Sequence, residues 1–172
     1  MAQQERKTSR NEFSVLLDFL DETPNKLARI IRSFTDSELR FKNSPDEFSA
    51  LENVCHLRDL EVAGYAARIR QMIEETNPTL ADFDGARVAA ESEYNNEQAE
   101  LALESFSRAR KGNVALFRNL SDDELQRQGE LAGVGRITLQ RLAEMMSEHD
   151  EGHLDEVRAL RQQLEVSQID RR

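Results

Sequence analysis

At 172 residues the chain is long enough for one domain with a self-sufficient core and short for two. Three prolines, seven glycines, a charged fraction of 33% and an aromatic fraction of 6% favour long, solvated helices over a sheet sandwich. Its 23 basic and 33 acidic residues leave a formal charge of −10. Such a chain repels phosphate backbones and anionic membrane surfaces, so neither nucleic acid nor a membrane is an expected partner.

The single Cys55 has no internal disulfide partner, which fits a reducing compartment. The opening Met1-Ala2-Gln3-Gln4-Glu5-Arg6-Lys7 is polar and no apolar run follows, so no signal peptide is expected. No stretch approaches the ~18 consecutive apolar residues of a membrane span. A soluble, cytoplasmic protein is the expectation.

The first helical tract covers about 11–34, with Phe13, Leu16, Leu17, Leu20, Leu27, Ile30, Ile31 and Phe34 at helical spacing. Thr23-Pro24 predicts a kink or restart inside it, because proline suits a first helical turn better than a helix interior. A turn or short helix at Asp36-Ser37-Glu38-Leu39 leads to the loop Lys42-Asn43-Ser44-Pro45-Asp46. Ser49 and Glu52 form a capping box that opens a second helix, expected to run to about Glu75. This helix is apolar over more than one stripe. Leu51, Cys55, Val62, Ala66, Ile69 and Ile73 form one, and His56, Leu60, Ala63 and Ala67 another. Such an arc suits a central helix, with an excess face for a second copy of the chain or for the connection that follows.

Residues 78–95 read as a long connection with a turn at Asp82-Phe83-Asp84-Gly85, as in a bundle with one crossover. A third helix over about 96–120 carries Leu101, Leu103, Phe106, Val114 and Phe117 inward. Leu131-Ala132-Gly133-Val134-Gly135 is a loop, and Thr138 caps a fourth helix. Along that helix Leu142, Met146, His149, His153, Val157, Leu160 and Leu164 advance by three or four residues and form its core stripe. The expected fold is all-α: a single four-helix bundle domain over 1–172, with an ordered core of about 11–165.

All three histidines fall on these core-facing helices. His149 and His153 stand four apart, which places their Cβ atoms roughly 5–6 Å apart on one helix face. Two such imidazoles can share a metal ion, and His56 from a facing helix would complete a His₃ face with an open position, the pattern of catalytic zinc. The other reading is a pair of core histidines sharing hydrogen-bond partners. His149-Asp150-Glu151-Gly152-His153 is not the H-E-x-x-H of zinc proteases, since Asp150 stands where the catalytic glutamate would be.

The order Ser49-x-x-Glu52, His56-Leu57-x-Asp59-x-Glu61, Gly135-x-x-Thr138-Leu139 and His149-Asp150-x-x-His153-Leu154 resembles the DinB-like (YfiT-type) four-helix family. The match spans Thr23-Pro24 to Arg161. The resemblance implies that His56, His149 and His153 bind a divalent metal, zinc or nickel, and that the protein forms a homodimer. It also implies a metal-dependent enzyme acting on a small molecule. The leading activity is transfer of a low-molecular-weight thiol to an electrophile; the alternatives are hydrolysis by metal-bound water and a stress-related binding module without turnover. The chain departs from the family in carrying Phe48 where tryptophan is usual.

Glu52 and Asp59, four before and three after His56, are candidates to orient it, against a plain capping role and a solvated charge respectively. Asp150, about 100° around the helix from His149, reads as a surface ion pair with a nearby arginine. Gly152 either leaves room beside the metal or permits close helix packing. Cys55 reads as a small core residue and not a fourth ligand.

Overall fold

The computed structural model describes residues 2–169, with side chains placed for 10–85 and 87–167. Helix α1 (Ala2–Ile31) is followed by the single turn α2 (Asp36–Leu39), which Thr35 and Glu38 cap reciprocally. The second long helix comprises α3 (Ala50–Asp59), a π-helical segment (Leu60–Tyr65) and α4 (Ala66–Glu74). Next come strand β1 (Thr79–Leu80), helix α5 (Gly85–Ser92) and a 3₁₀ turn (Tyr94–Asn96). Helix α6 (Ala99–Asn119), the turn α7 (Asp122–Leu125), strands β2 (Gln128–Leu131) and β3 (Gly135–Thr138), and helix α8 (Leu139–Ile169) complete the chain.

Helix α1 packs on α6 and α8, and α3 packs on the same two. Helices α1 and α3 touch little, so the first and second long helices lie diagonally across the bundle. The 78–95 stretch therefore contains structure of its own. Its helix α5 and 3₁₀ turn fold against α3 and its strand β1 pairs with β2, where the sequence suggested a plain connection. The hairpin β2–β3 was also unexpected. Gly133 (φ 76°) and Gly135 (φ 100°) supply its left-handed turn, β2 pairs antiparallel with β3, and β1 adds in parallel to β2. Leu80, Leu131 and Ile137 turn inward, so this small sheet closes one end of the bundle.

Pro24 does not break α1, which runs through it without interruption. Proline has no N–H, so the carbonyl of Leu20 loses its helical donor. The buried Arg110 on α6 takes that carbonyl instead, Nη1 donating at 3.1 Å. Two stripe assignments also change. Leu101 is 58% exposed, because a residue two before the buried Leu103 points about 200° away. Val62 is 50% exposed, and its neighbour Glu61 is the one that enters the interior of the π segment.

The core divides into two apolar clusters. Leu17, Leu20, Leu60, Val114, Phe117 and Met146 belong to the one under the sheet; Leu27, Leu57, Phe106, Leu154 and Val157 belong to the other. Between them lies a polar layer of Thr23, Glu61, Arg110, Asn113 and Asp150, all buried. Arg110 bonds Glu61 at 2.8 Å and reaches Asp150 through both Nη atoms, and Asn113 donates to Glu61 at 2.8 Å. Asp150 is thus no surface ion pair. It is fully buried and ties α8 to α6 across the bundle.

Candidate metal centre

The three histidines meet at one side of this polar layer. Ser49 starts α3, its hydroxyl accepting from Glu52 N–H and its own N–H donating to the Glu52 carboxylate at 2.7 Å. That start sets the phase that turns His56 inward, where it is 8% exposed. Thr138 starts α8 by accepting from the N–H of Arg141 at 3.0 Å, and the i, i+4 spacing then stacks His149 below His153.

The Nε2 atom of His149 lies 3.2 Å from that of His56 and 3.1 Å from that of His153. Among the described residues this is the single group of three such side chains with ligand atoms close enough to share an ion, all within 4.8 Å. A tetrahedral ion bonded to imidazole at about 2.0–2.1 Å holds its nitrogens roughly 3.3–3.4 Å apart. The observed separations come within a few tenths of an ångström of that. One hydrogen could serve both contacts at His149 only as a bent, shared bond, whereas a cation accepts all three lone pairs. Burial also keeps the imidazoles neutral. It lowers His56 to about 4, helped by the His153 charge and opposed by Asp59. It lowers His149 to about 3, with His153, His56 and Arg110 adding repulsion, and His153 to about 4. The donor set fits a divalent transition metal.

The surroundings are largely aromatic. Phe48 lies 5.3 Å from the His56 ring and 6.5 Å from His153, nearly parallel to the latter. Phe83 covers His56 at 6.3 Å, and Tyr65 meets His149 edge-on at 6.4 Å. Phe48, standing where the family usually has tryptophan, therefore shields the cluster itself. A cleft of about 460 Å³ opens beside His153, lined by Asp46, Glu47, Phe48, Glu156 and Leu160. Burial and the nearby Glu47 raise the Glu156 carboxyl above the usual range.

The expected orienting carboxylates are elsewhere. Glu52 is spent on the Ser49 cap and on Lys42 at 3.0 Å. Asp59 accepts from Arg58 and from the Tyr94 hydroxyl, both at 2.7 Å. Neither bonds His56, because each faces a partner outside the bundle's central seam. Gly152 is exposed with nothing within 4 Å of where a Cβ would stand, so it neither lines the site nor permits a close packing contact. Cys55 is fully buried, its thiol pushed up to about 12 by burial, and it lies outside the cluster.

Two residues near the cluster gave little sign in the sequence. Gly85, the first residue of α5, approaches His56 so closely that a Cβ there would stand 2.3 Å from Cε1 and 2.7 Å from Nδ1. The turn at Asp84-Gly85 marked a glycine, but not what it faces. The Oδ1 atom of Asn53 accepts from His153 Nδ1 at 2.6 Å. Its clue was an asparagine three before His56, a poor helix former on a buried face.

A four-helix bundle with diagonal helix order and a convergent three-histidine cluster defines a class of small helical proteins suited to a divalent metal. The chain belongs to the DinB superfamily, whose family model matches residues 20–157. Its fold is similar to that of YfiT from Bacillus subtilis, described as a probable metal-dependent hydrolase with an unusual four-helix bundle topology. That match has a TM-score of 0.84 and 20% identity, over 90% of this chain and 88% of that one. It is also similar to the mycothiol-dependent maleylpyruvate isomerase (TM-score 0.68, 10% identity), over 84% of this chain and 60% of that longer one. No curated protein matches the sequence.

Proposed function

We propose that His56, His149 and His153 hold a divalent transition metal, zinc or nickel, and that the protein transfers a low-molecular-weight thiol to a small electrophile. The observation that carries this reading is the convergence of three neutral Nε2 atoms beside an open cleft. Bound there, such a metal acidifies a thiol or water at its remaining position, so that a nucleophile forms near neutral pH. The chain's own residues bind and shelter. Phe48, Phe83 and Tyr65 restrict water around the imidazoles. Asp46, Glu47 and Glu156 line the cleft and favour a neutral or cationic acceptor over an anionic one. Cys55, buried and protonated, is not the nucleophile, so the sulfur comes from a bound thiol. The mycothiol dependence of the similar isomerase supports the thiol.

Hydrolysis at the same three histidines is the second reading, favoured by the description of YfiT. We place the chemistry in the cytoplasm, where small thiols stay reduced. We further propose a homodimer, with Val62, Ala63 and Ala67 on the exposed face of the second long helix as its contact. Metal analysis of untagged protein, joined to thiol-dependent consumption of monochlorobimane, tests the leading reading. One metal per chain and activity lost in His149→Ala support it; full metal content in the His149→Ala, His153→Ala double variant sinks it. Cleavage of esters or amides without thiol selects hydrolysis.

A further inference from the structure

Asn53 is fully buried in a helix interior, where asparagine is a poor choice unless its amide has work to do. Both ends of that amide are engaged. One end lies 3.0 Å from the Ser49 carbonyl, which also accepts the Asn53 backbone N–H at 3.0 Å. A carbonyl only accepts, so the end facing Ser49 is the NH₂ group and the end facing His153 is the oxygen. That oxygen lies 2.6 Å from His153 Nδ1. An amide oxygen only accepts as well, so Nδ1 carries the proton and Nε2 keeps its lone pair. Nε2 is the atom that points to His149.

We infer that Asn53 is a positioning residue that selects the Nδ1–H tautomer of His153 and so presents Nε2 for metal binding. This rests on the metal reading above. In water a free histidine favours the opposite, Nε2–H form, so the choice has to be imposed. Glu156 also approaches Nδ1, at 3.3 Å, but its side chain is 58% exposed and free to leave for solvent. Asn53 is shorter in contact, buried, and fixed at its far end by the N-cap of α3. The start of that helix is thereby linked to a residue on α8. An amide adds no negative charge behind the imidazole, and the Nδ1 atoms of His56 and His149 have no hydrogen-bond partner among the described residues. The carboxylate support that makes ligating histidines more basic is thus confined to the half-exposed Glu156.

The test uses full-length protein with ¹⁵N-labelled histidine. Long-range ¹H–¹⁵N correlation reads the His153 tautomer in metal-free protein, and competition with a chromophoric chelator reads zinc affinity. Asn53→Leu removes both contacts. Asn53→Ser keeps a hydroxyl able to serve the Ser49 carbonyl but is too short to reach His153. Either should move His153 toward the Nε2–H form and weaken zinc about 10–100-fold. Glu156→Gln, which leaves Asn53 in place, should hold the Nδ1–H form and zinc affinity within about threefold. If Asn53→Leu does not fold, Asn53→Ser decides. A folded variant lacking the acceptor that retains the Nδ1–H form and wild-type affinity overturns the inference. Wild-type protein that binds no zinc or nickel overturns the metal reading instead, and the tautomer spectra still judge Asn53.

Discussion

Replacing Arg110 with methionine tests whether the polar layer is held by its central cation. The guanidinium is fully buried and serves Glu61, Asp150 and the Leu20 carbonyl. Methionine has a similar length, so little volume is lost; what changes is charge. Glu61 keeps Asn113 at 2.8 Å, while Asp150 loses the guanidinium that holds both its oxygens. Breaking a buried ion pair from one side costs about 3–5 kcal/mol, because the remaining charge stays desolvated. That is a large part of the roughly 5–15 kcal/mol that holds a domain folded. At about 2–4 °C per kcal/mol for this size, the melting temperature should fall by about 6–20 °C. Urea unfolding followed by helical circular dichroism, on metal-free protein at pH 7.5, measures the loss. The triple variant Glu61→Leu, Arg110→Met, Asp150→Leu should recover most of the loss, since apolar replacements of whole buried ion networks are often neutral or stabilising. A single variant that loses less than about 1 kcal/mol would show that this layer is hydrated or easily rearranged, and the reasoning would fail.

Glycine substitutions should separate the two glycines near the histidines. Gly85→Ala should displace the His56 ring and weaken zinc at least about tenfold by chelator competition. Gly152→Ala, with open space around its Cβ, should stabilise α8 by about 0.5–1 kcal/mol in urea unfolding. The metal-free protein should lose stability as pH falls from about 6.5 toward 4. The folded pKa values of His56, His149 and His153, about 4, 3 and 4, lie below the unfolded value of 6.5, so the unfolded chain binds more protons in that window. The loss is on the order of 2–3 kcal/mol per imidazole by pH 4.5. A urea midpoint unchanged between pH 7 and 4.5, or an equally steep loss in His153→Gln, would contradict this. Cys55 should resist a thiol reagent in native protein and react on unfolding, and Cys55→Ala should keep thiol-transfer activity.

What the sequence determined by itself was local. The Ser49–Glu52 box and the Thr138 cap set where α3 and α8 begin, and a helix of known start has a known phase. The core-stripe positions of His149 and His153, and the inward turn of His56, follow from that phase alone. The covering of Cys55 was legible for the same reason. Contacts between elements far apart in sequence were not legible, because hydropathy reports whether a side chain prefers water but not what faces it. Glu61 and Asp150 look like solvated helix charges until the diagonal helix order brings Arg110 between them. Pro24 looks like a break until the same arginine takes the carbonyl that proline leaves free. Glu52 and Asp59 have the right spacing to His56, yet a cap and a tyrosine hydroxyl claim them first. Gly85 and Asn53 acquire their meaning only from ring positions on other helices. A helix dictates which of its residues share a face, and only the packing of the bundle decides what that face meets.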